Sequence, residues 1–105
     1  MWRYVFGLKV LLVVSNPRLL AQLMGIADAA NSRGHKVTVF FIEESVKLLA
    51  QYPVLGRLGV DLIACQTACL QAGLGEGDLV GGARVSSLAE LVVLMESSDR
   101  VLFLG

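Results

Sequence analysis

Short apolar runs alternate along this chain with stretches in which apolar residues return every third or fourth position. The first pattern marks strands buried on both faces, and the second marks amphipathic helices. Residues 8–14, rich in Val and Leu, predict a first strand. Asn16-Pro17 then supplies a helix start, because Asn caps well and Pro suits the first helical position, where its missing N–H is not needed. Leu19, Leu20, Leu23, Ile26, Ala27 and Ala30 follow at helical spacing, and Gly34 offers a left-handed close.

Residues 37–42, reading Val-Thr-Val-Phe-Phe-Ile, predict the second strand by their β-branched and aromatic content. Glu43 and Glu44 come next, as acids that suit the positive end of a helix dipole, and the helix they open runs over about 45–51 and stops near Pro53. Residues 60–64 predict a third strand, followed by a helix over about 66–72 that ends at Gly73. Gly75, Gly77, Gly81 and Gly82 mark a loop, and residues 83–86 a short fourth strand. Ser87-Leu-Ala-Glu90 has the form of a capping box, opening a helix to about residue 96, and residues 101–104 predict the fifth strand. Parallel neighbours need a crossover, which is usually a helix. The alternation therefore predicts an α/β fold: a three-layer α/β/α sandwich around a five-stranded, mainly parallel sheet. No repeat or linker interrupts residues 1–105, a length that suits a single domain.

Composition adds one feature. Hydrophobic residues make up 55% and charged residues only 17%, more apolar than an average soluble domain. A membrane span needs about 20 consecutive apolar residues, and the runs over 10–14 and 37–42 are far shorter. Residues 1–14 carry Arg3 and Lys9 ahead of an apolar run, as a signal peptide would, but the run is too short and no small-residue cleavage pattern follows. The expectation is a cytoplasmic protein that oligomerises through leftover apolar surface. Formal net charge is zero, with 9 basic and 9 acidic residues and no block of either sign, so nucleic acid and acidic membranes are not expected partners.

The sites of such sheets lie at the carboxyl ends of the strands. Ser15, Asn16, Glu43, Glu44, Cys65, Ser86 and Ser87 fall there, whereas His35 and Lys36 fall at the opposite end. His35 is expected to be a solvated loop residue. The strongest candidate is Cys65, in Ile63-Ala-Cys-Gln-Thr-Ala-Cys69, where a strand end meets a helix start. A thiolate there would face free N–H groups. The dipole is worth about 0.3–1 kcal/mol, less than the 1.36 kcal/mol of one pKa unit, so direct hydrogen bonds would have to supply the rest. A small buried apolar residue is the plain alternative for either cysteine. Cys69, one turn on, shares a face with Cys65 if the helix is regular, and is expected either to pack on the sheet or to resolve a sulfenate or disulfide at Cys65. Two cysteines and one distant histidine cannot close a zinc site of four protein ligands, so no metal is expected. The glycines over 73–82 lack phosphate-loop spacing, and the first strand–helix turn lacks a glycine fingerprint, so no nucleotide cofactor is expected either.

Taken together, these pieces resemble the DsrE/DsrF-like group of small sulfur-relay proteins (DsrEFH/TusBCD), which includes the TusB, TusC and TusD subunits. The resemblance spans nearly the whole chain: the opening strand and helix, the second strand with its acidic turn, Cys65-Gln-Thr-Ala-Cys-Leu-Gln-Ala-Gly73-Leu74, Asp78-Leu-Val-Gly-Gly-Ala83, Ser87-Leu-Ala-Glu-Leu91 and Asp99-Arg-Val-Leu-Phe-Leu-Gly105. In that group a cysteine followed eight residues later by glycine marks the sulfur-carrying position, and Cys65 and Gly73 match it. The resemblance implies a five-stranded three-layer fold, homo- or hetero-oligomers with a homotrimer or homohexamer favoured, and a persulfide carried on Cys65 between donor and acceptor proteins. Cys69 is additional to the single-cysteine members, and some subunits of the group serve only in assembly. Three functions therefore stand beside one another: a sulfur carrier with possible sulfurtransferase activity, a non-catalytic subunit or scaffold, and a thiol redox protein using Cys65 and Cys69.

Overall fold

The computed structural model describes residues 7–105, so the first six residues of the signal-like opening stretch lie outside it. Five strands form one sheet: β1 (Lys9–Val14), β2 (Lys36–Phe41), β3 (Asp61–Cys65), β4 (Ala83–Ser86) and β5 (Arg100–Leu104). Their order across the sheet is β4-β3-β2-β1-β5, and every neighbouring pair is parallel. The expected sheet is thus parallel throughout, and all carboxyl ends meet along one edge. The strands are joined by α1 (Leu20–Ser32), α2 (Leu48–Gln51), α3 (Gln66–Ala72) and α4 (Leu88–Ser97). Right-handed crossovers set α1, α2 and α3 on one face of the sheet and α4 alone on the other, completing the three-layer α/β/α sandwich.

The apolar runs form the centre of the sheet because both faces there are covered. Leu11, Leu12, Val39, Phe40, Phe41 and Ile63 are buried, with Leu23 from α1 and Leu49 from α2 packed on them. In register, Val13 lies beside Phe40 and Phe40 beside Ile63, which aligns three buried side chains across three strands. Local chemistry sets the helix ends. Asn16 accepts the Arg18 N–H at 2.9 Å and starts a 3₁₀ turn, Pro17–Leu19, that leads into α1. The predicted second helix is more broken than its sequence suggested: Glu43–Lys47 is a 3₁₀ turn, only Leu48–Gln51 is α-helical, and a further 3₁₀ turn, Pro53–Arg57, follows. Among the described residues no helix is long and apolar enough to cross a membrane.

The two edges of the sheet are finished differently. On β4 the Val85 N–H donates to the Glu76 carboxylate at 3.0 Å, so a side chain caps part of that edge. On β5, Phe103 is 63% exposed and Leu102 is exposed beside it. α4 has exposed apolar residues of its own. Leu91 and Leu94 face inward, whereas Leu88, Val92, Val93 and Met95 are exposed.

Candidate functional site

Cys65 is the last residue of β3 and the N-cap of α3, with extended backbone angles of φ −65° and ψ 126°. Its side chain makes no capping hydrogen bond. The thiol is free and 4% exposed. It lies in the wall of a cavity of about 180 Å³ whose other lining residues are Ile42, Glu43, Thr67, Ala68, Gln71 and Leu88. The cavity is therefore built by four segments: the end of β2, the β3–α3 junction, the outer side of α3 and the first residue of α4. This is the carboxyl edge, where such sheets place their sites.

Cys69 is also free, and 2% exposed. A regular helix would align it with Cys65. Cys65 stands ahead of the helix in extended conformation, however, so helical spacing does not apply between them. Cys69 instead lines a second cavity of about 390 Å³ with Gln66, Leu70, Leu74, Gly75, Glu76 and Val85, and the two cavities share no lining residue. Burial pushes the Cys69 thiol pKa up, and the nearby Cys65 charge adds to the effect. Cys69 therefore holds its proton at neutral pH, the opposite of what a nucleophilic thiol needs.

Gly73 ends α3 in the left-handed region at φ 71°. The Leu74 N–H donates to the Cys69 carbonyl at 2.9 Å and the Gly73 N–H to the Leu70 carbonyl at 3.2 Å, a Schellman closure. The spacing from Cys65 to Gly73 is thus the length of one short helix, from cap to cap.

Two features beside Cys65 were not legible in the sequence. Glu43 has a φ of 53°, the one positive value outside glycine among the described residues. Such a conformation in a non-glycine residue costs on the order of 1–3 kcal/mol and persists only where its surroundings enforce it. Ser45, fully buried, ties this turn to β1: its single hydroxyl proton is shared between the Val14 carbonyl at 2.6 Å and the Ile42 carbonyl at 2.7 Å. Glu43 was expected to be a first-turn acid and is one, but its strain carries no signal in residue type. Glu44 pairs with Lys47 at 2.6 Å on the exposed side of the same turn.

The second feature is an ion pair at the start of α4. Ser86 is the register neighbour of Cys65 across β3 and β4. Its hydroxyl donates to the Glu90 carboxylate, which also accepts two N–H bonds from Arg84 at 2.7 and 2.6 Å. The Arg84 bonds first, and then the Ser86 bond, lower the Glu90 pKa from 4.5 to about 2. The capping box is consequently only half formed. Ser87 Oγ accepts the Glu90 N–H at 3.4 Å, while the Glu90 side chain, instead of returning to Ser87, turns to Arg84 and Ser86. This network anchors the turn that presents Leu88 to the Cys65 cavity.

At the opposite edge of the sheet, His35 is half-buried rather than solvated, and its Nδ1 accepts the Leu8 N–H at 3.0 Å. That bond ties β1 to the turn before β2. No group of three or more potential metal-ligating side chains occurs among the described residues.

A parallel α/β sandwich with a cysteine at the carboxyl end of its third strand defines a class, and the family follows from comparison. The chain matches the DsrE/DsrF-like family over residues 9–104 and belongs to it. Among solved structures it is similar to the crystal structure of the ychN protein from E. coli, with a TM-score of 0.80 and 19% sequence identity over 91% of this chain and 98% of that one. At that identity the likeness is one of fold. No curated protein matches the chain in sequence.

Proposed function

We propose that this protein is a cytoplasmic sulfur-relay protein that carries sulfane sulfur as a persulfide on Cys65, a sulfurtransferase activity exercised between a donor and an acceptor protein. The observation that carries this proposal is the position of Cys65. It is the cysteine at the β3–α3 junction, in the wall of a cavity at the carboxyl edge, in a chain of the DsrE/DsrF-like family. In the transfer the Cys65 thiolate attacks the outer sulfur of a donor persulfide, R–S–SH. One S–S bond forms and another breaks, so that Cys65 becomes a persulfide and the donor leaves as R–S⁻, with no net oxidation. Reversal of the step on an acceptor thiol empties the carrier.

The separate cavities and the protonated state of Cys69 weigh against a Cys65–Cys69 redox pair. A non-catalytic subunit or scaffold is favoured by one observation, the burial of both thiols. Incubation with glutathione persulfide followed by mass spectrometry separates these readings. A carrier gains about 32 daltons, one sulfur atom, on Cys65, and Cys65→Ser abolishes the gain. A scaffold gains nothing, and both thiols react slowly with iodoacetamide in the native state.

The oligomer is assigned to the exposed apolar surface of α4 and β5, around Val92, Val93 and Phe103. A homotrimer or homohexamer built on it would bury surface that a monomer leaves in water.

A further inference from the structure

We infer that Glu43 is the proton carrier of the Cys65 site: it holds the proton that Cys65 gives up before attacking as the thiolate, and delivers it to the departing donor thiolate. This role rests on Cys65 being the sulfur carrier. Among the described residues that line the Cys65 cavity, Glu43 is the one charged side chain, and Ile42, Thr67, Ala68, Gln71 and Leu88 complete the wall. Its backbone is held at φ 53° in a turn pinned by the buried Ser45 hydroxyl. A glycine would occupy that conformation without strain. A glutamate there, with no partner for its carboxylate among the hydrogen bonds and ion pairs of the described residues, sacrifices stability to keep a carboxylate at the cavity mouth.

Proton accounting gives that carboxylate a task. Cys65–SH and R–S–SH become Cys65–S–SH and R–SH, so one proton leaves Cys65 and one reaches the donor sulfur. A carboxylate in the wall of the cavity that Cys65 lines can move it without net uptake or release. The neighbouring charges are already engaged or lie on other elements. Glu44 is paired with Lys47 on the same turn, and Glu90 with Arg84 at the β4–α4 junction. Arg18 lies in the turn after β1, α2 and α3 carry no charged residue, and the remaining ionisable group on α3 is the protonated Cys69.

The test is made in a Cys69→Ala background, which leaves Cys65 as the sole thiol. Wild-type residue 43 is compared with Glu43→Gln and Glu43→Gly, and each protein is assayed with glutathione persulfide and with iodoacetamide. A proton carrier predicts that both variants take up sulfur more slowly near pH 7, by about 100-fold, the lower end of general acid–base assistance. The deficit closes above about pH 9, where the donor thiol departs as a stable thiolate. Alkylation by iodoacetamide releases iodide and needs no proton returned, so its rate does not fall. Glu43→Gly also raises the melting temperature by relieving the strain. Sulfur uptake that is unchanged or faster in Glu43→Gln overturns the inference, and so does an equal loss in both assays, which would mark Glu43 as merely structural. Absence of any sulfur adduct on the parent protein overturns the carrier function itself, a separate result.

Discussion

Around Cys65 the residues differ sharply in how far their type announced their role. A cysteine between a β-branched run and a helical pattern is visible in sequence, because strand ends and helix starts have compositional signatures. The state of Cys69 is not, since whether a thiol faces a cavity or a neighbouring thiol depends on one residue's backbone angles, and Cys65 is extended where a helix would have aligned the two. Glu43 and Ser45 show the same limit. Nothing in Glu-Glu-Ser announces a left-handed residue, or a buried hydroxyl shared between carbonyls of two different segments.

Glu90 yields a prediction at this scale. Its folded pKa, about 2, lies below its ordinary value of 4.5. A group depressed in this way contributes stability that is fully present above about pH 4.5 and lost as pH falls toward 2. Glu90→Gln removes that contribution. The melting temperature of the wild type is therefore expected to exceed that of Glu90→Gln at pH 6, with the gap closing between pH 4.5 and 2. Circular dichroism melts across that range check it, and a gap that persists unchanged at pH 2 would disprove the assignment.

At the scale of elements, the apolar runs located β1, β2 and β3 to within a residue or two, because a parallel sheet buried on both faces leaves little room for polar residues, while the short edge strands β4 and β5 were placed as closely though neither is buried. The β2–β3 connection was less legible. Its residues pack through short 3₁₀ turns whose periodicity is too brief to distinguish from an α-helix. The Cys65–Gly73 spacing gains a physical meaning: it measures α3, and the glycine is needed for its positive φ, not for space, since a Cβ there would meet nothing within 4 Å. Gly73→Ala should therefore destabilise the fold by about 1–2 kcal/mol, the cost of a left-handed L-residue. For a domain near this size that corresponds to a melting point lower by roughly 4–16 °C. An unchanged melting point would show that α3 closes in another way.

For the whole molecule, the topology explains the excess of apolar residues. Three helices cover one face of the sheet and one covers the other, so β5 and the outer side of α4 remain uncovered. The oligomer proposed on this surface would place its contacts next to the site, because Leu88 belongs both to α4 and to the Cys65 cavity. Val93, 59% exposed, and Phe103 are the side chains to probe. In an isolated chain, Phe103→Asp changes stability little, since exposed substitutions usually fall within about 0.5 kcal/mol. In an oligomer built on this surface it places a charge in the interface. Light scattering is expected to give a multimeric mass for the wild type and a smaller one for Phe103→Asp. A wild-type monomer at micromolar concentration would remove the interface altogether.

The central claim is that sulfur resides on Cys65. Its most direct measurement is peptide-resolved mass spectrometry of the wild type, Cys65→Ser and Cys69→Ser after exposure to a persulfide donor and then to an acceptor thiol. The expected result is an adduct of about 32 daltons on the Cys65 peptide of the wild type and Cys69→Ser, absent from Cys65→Ser and lost when the acceptor is added. An adduct confined to Cys69, or none on any of the three proteins, would contradict it.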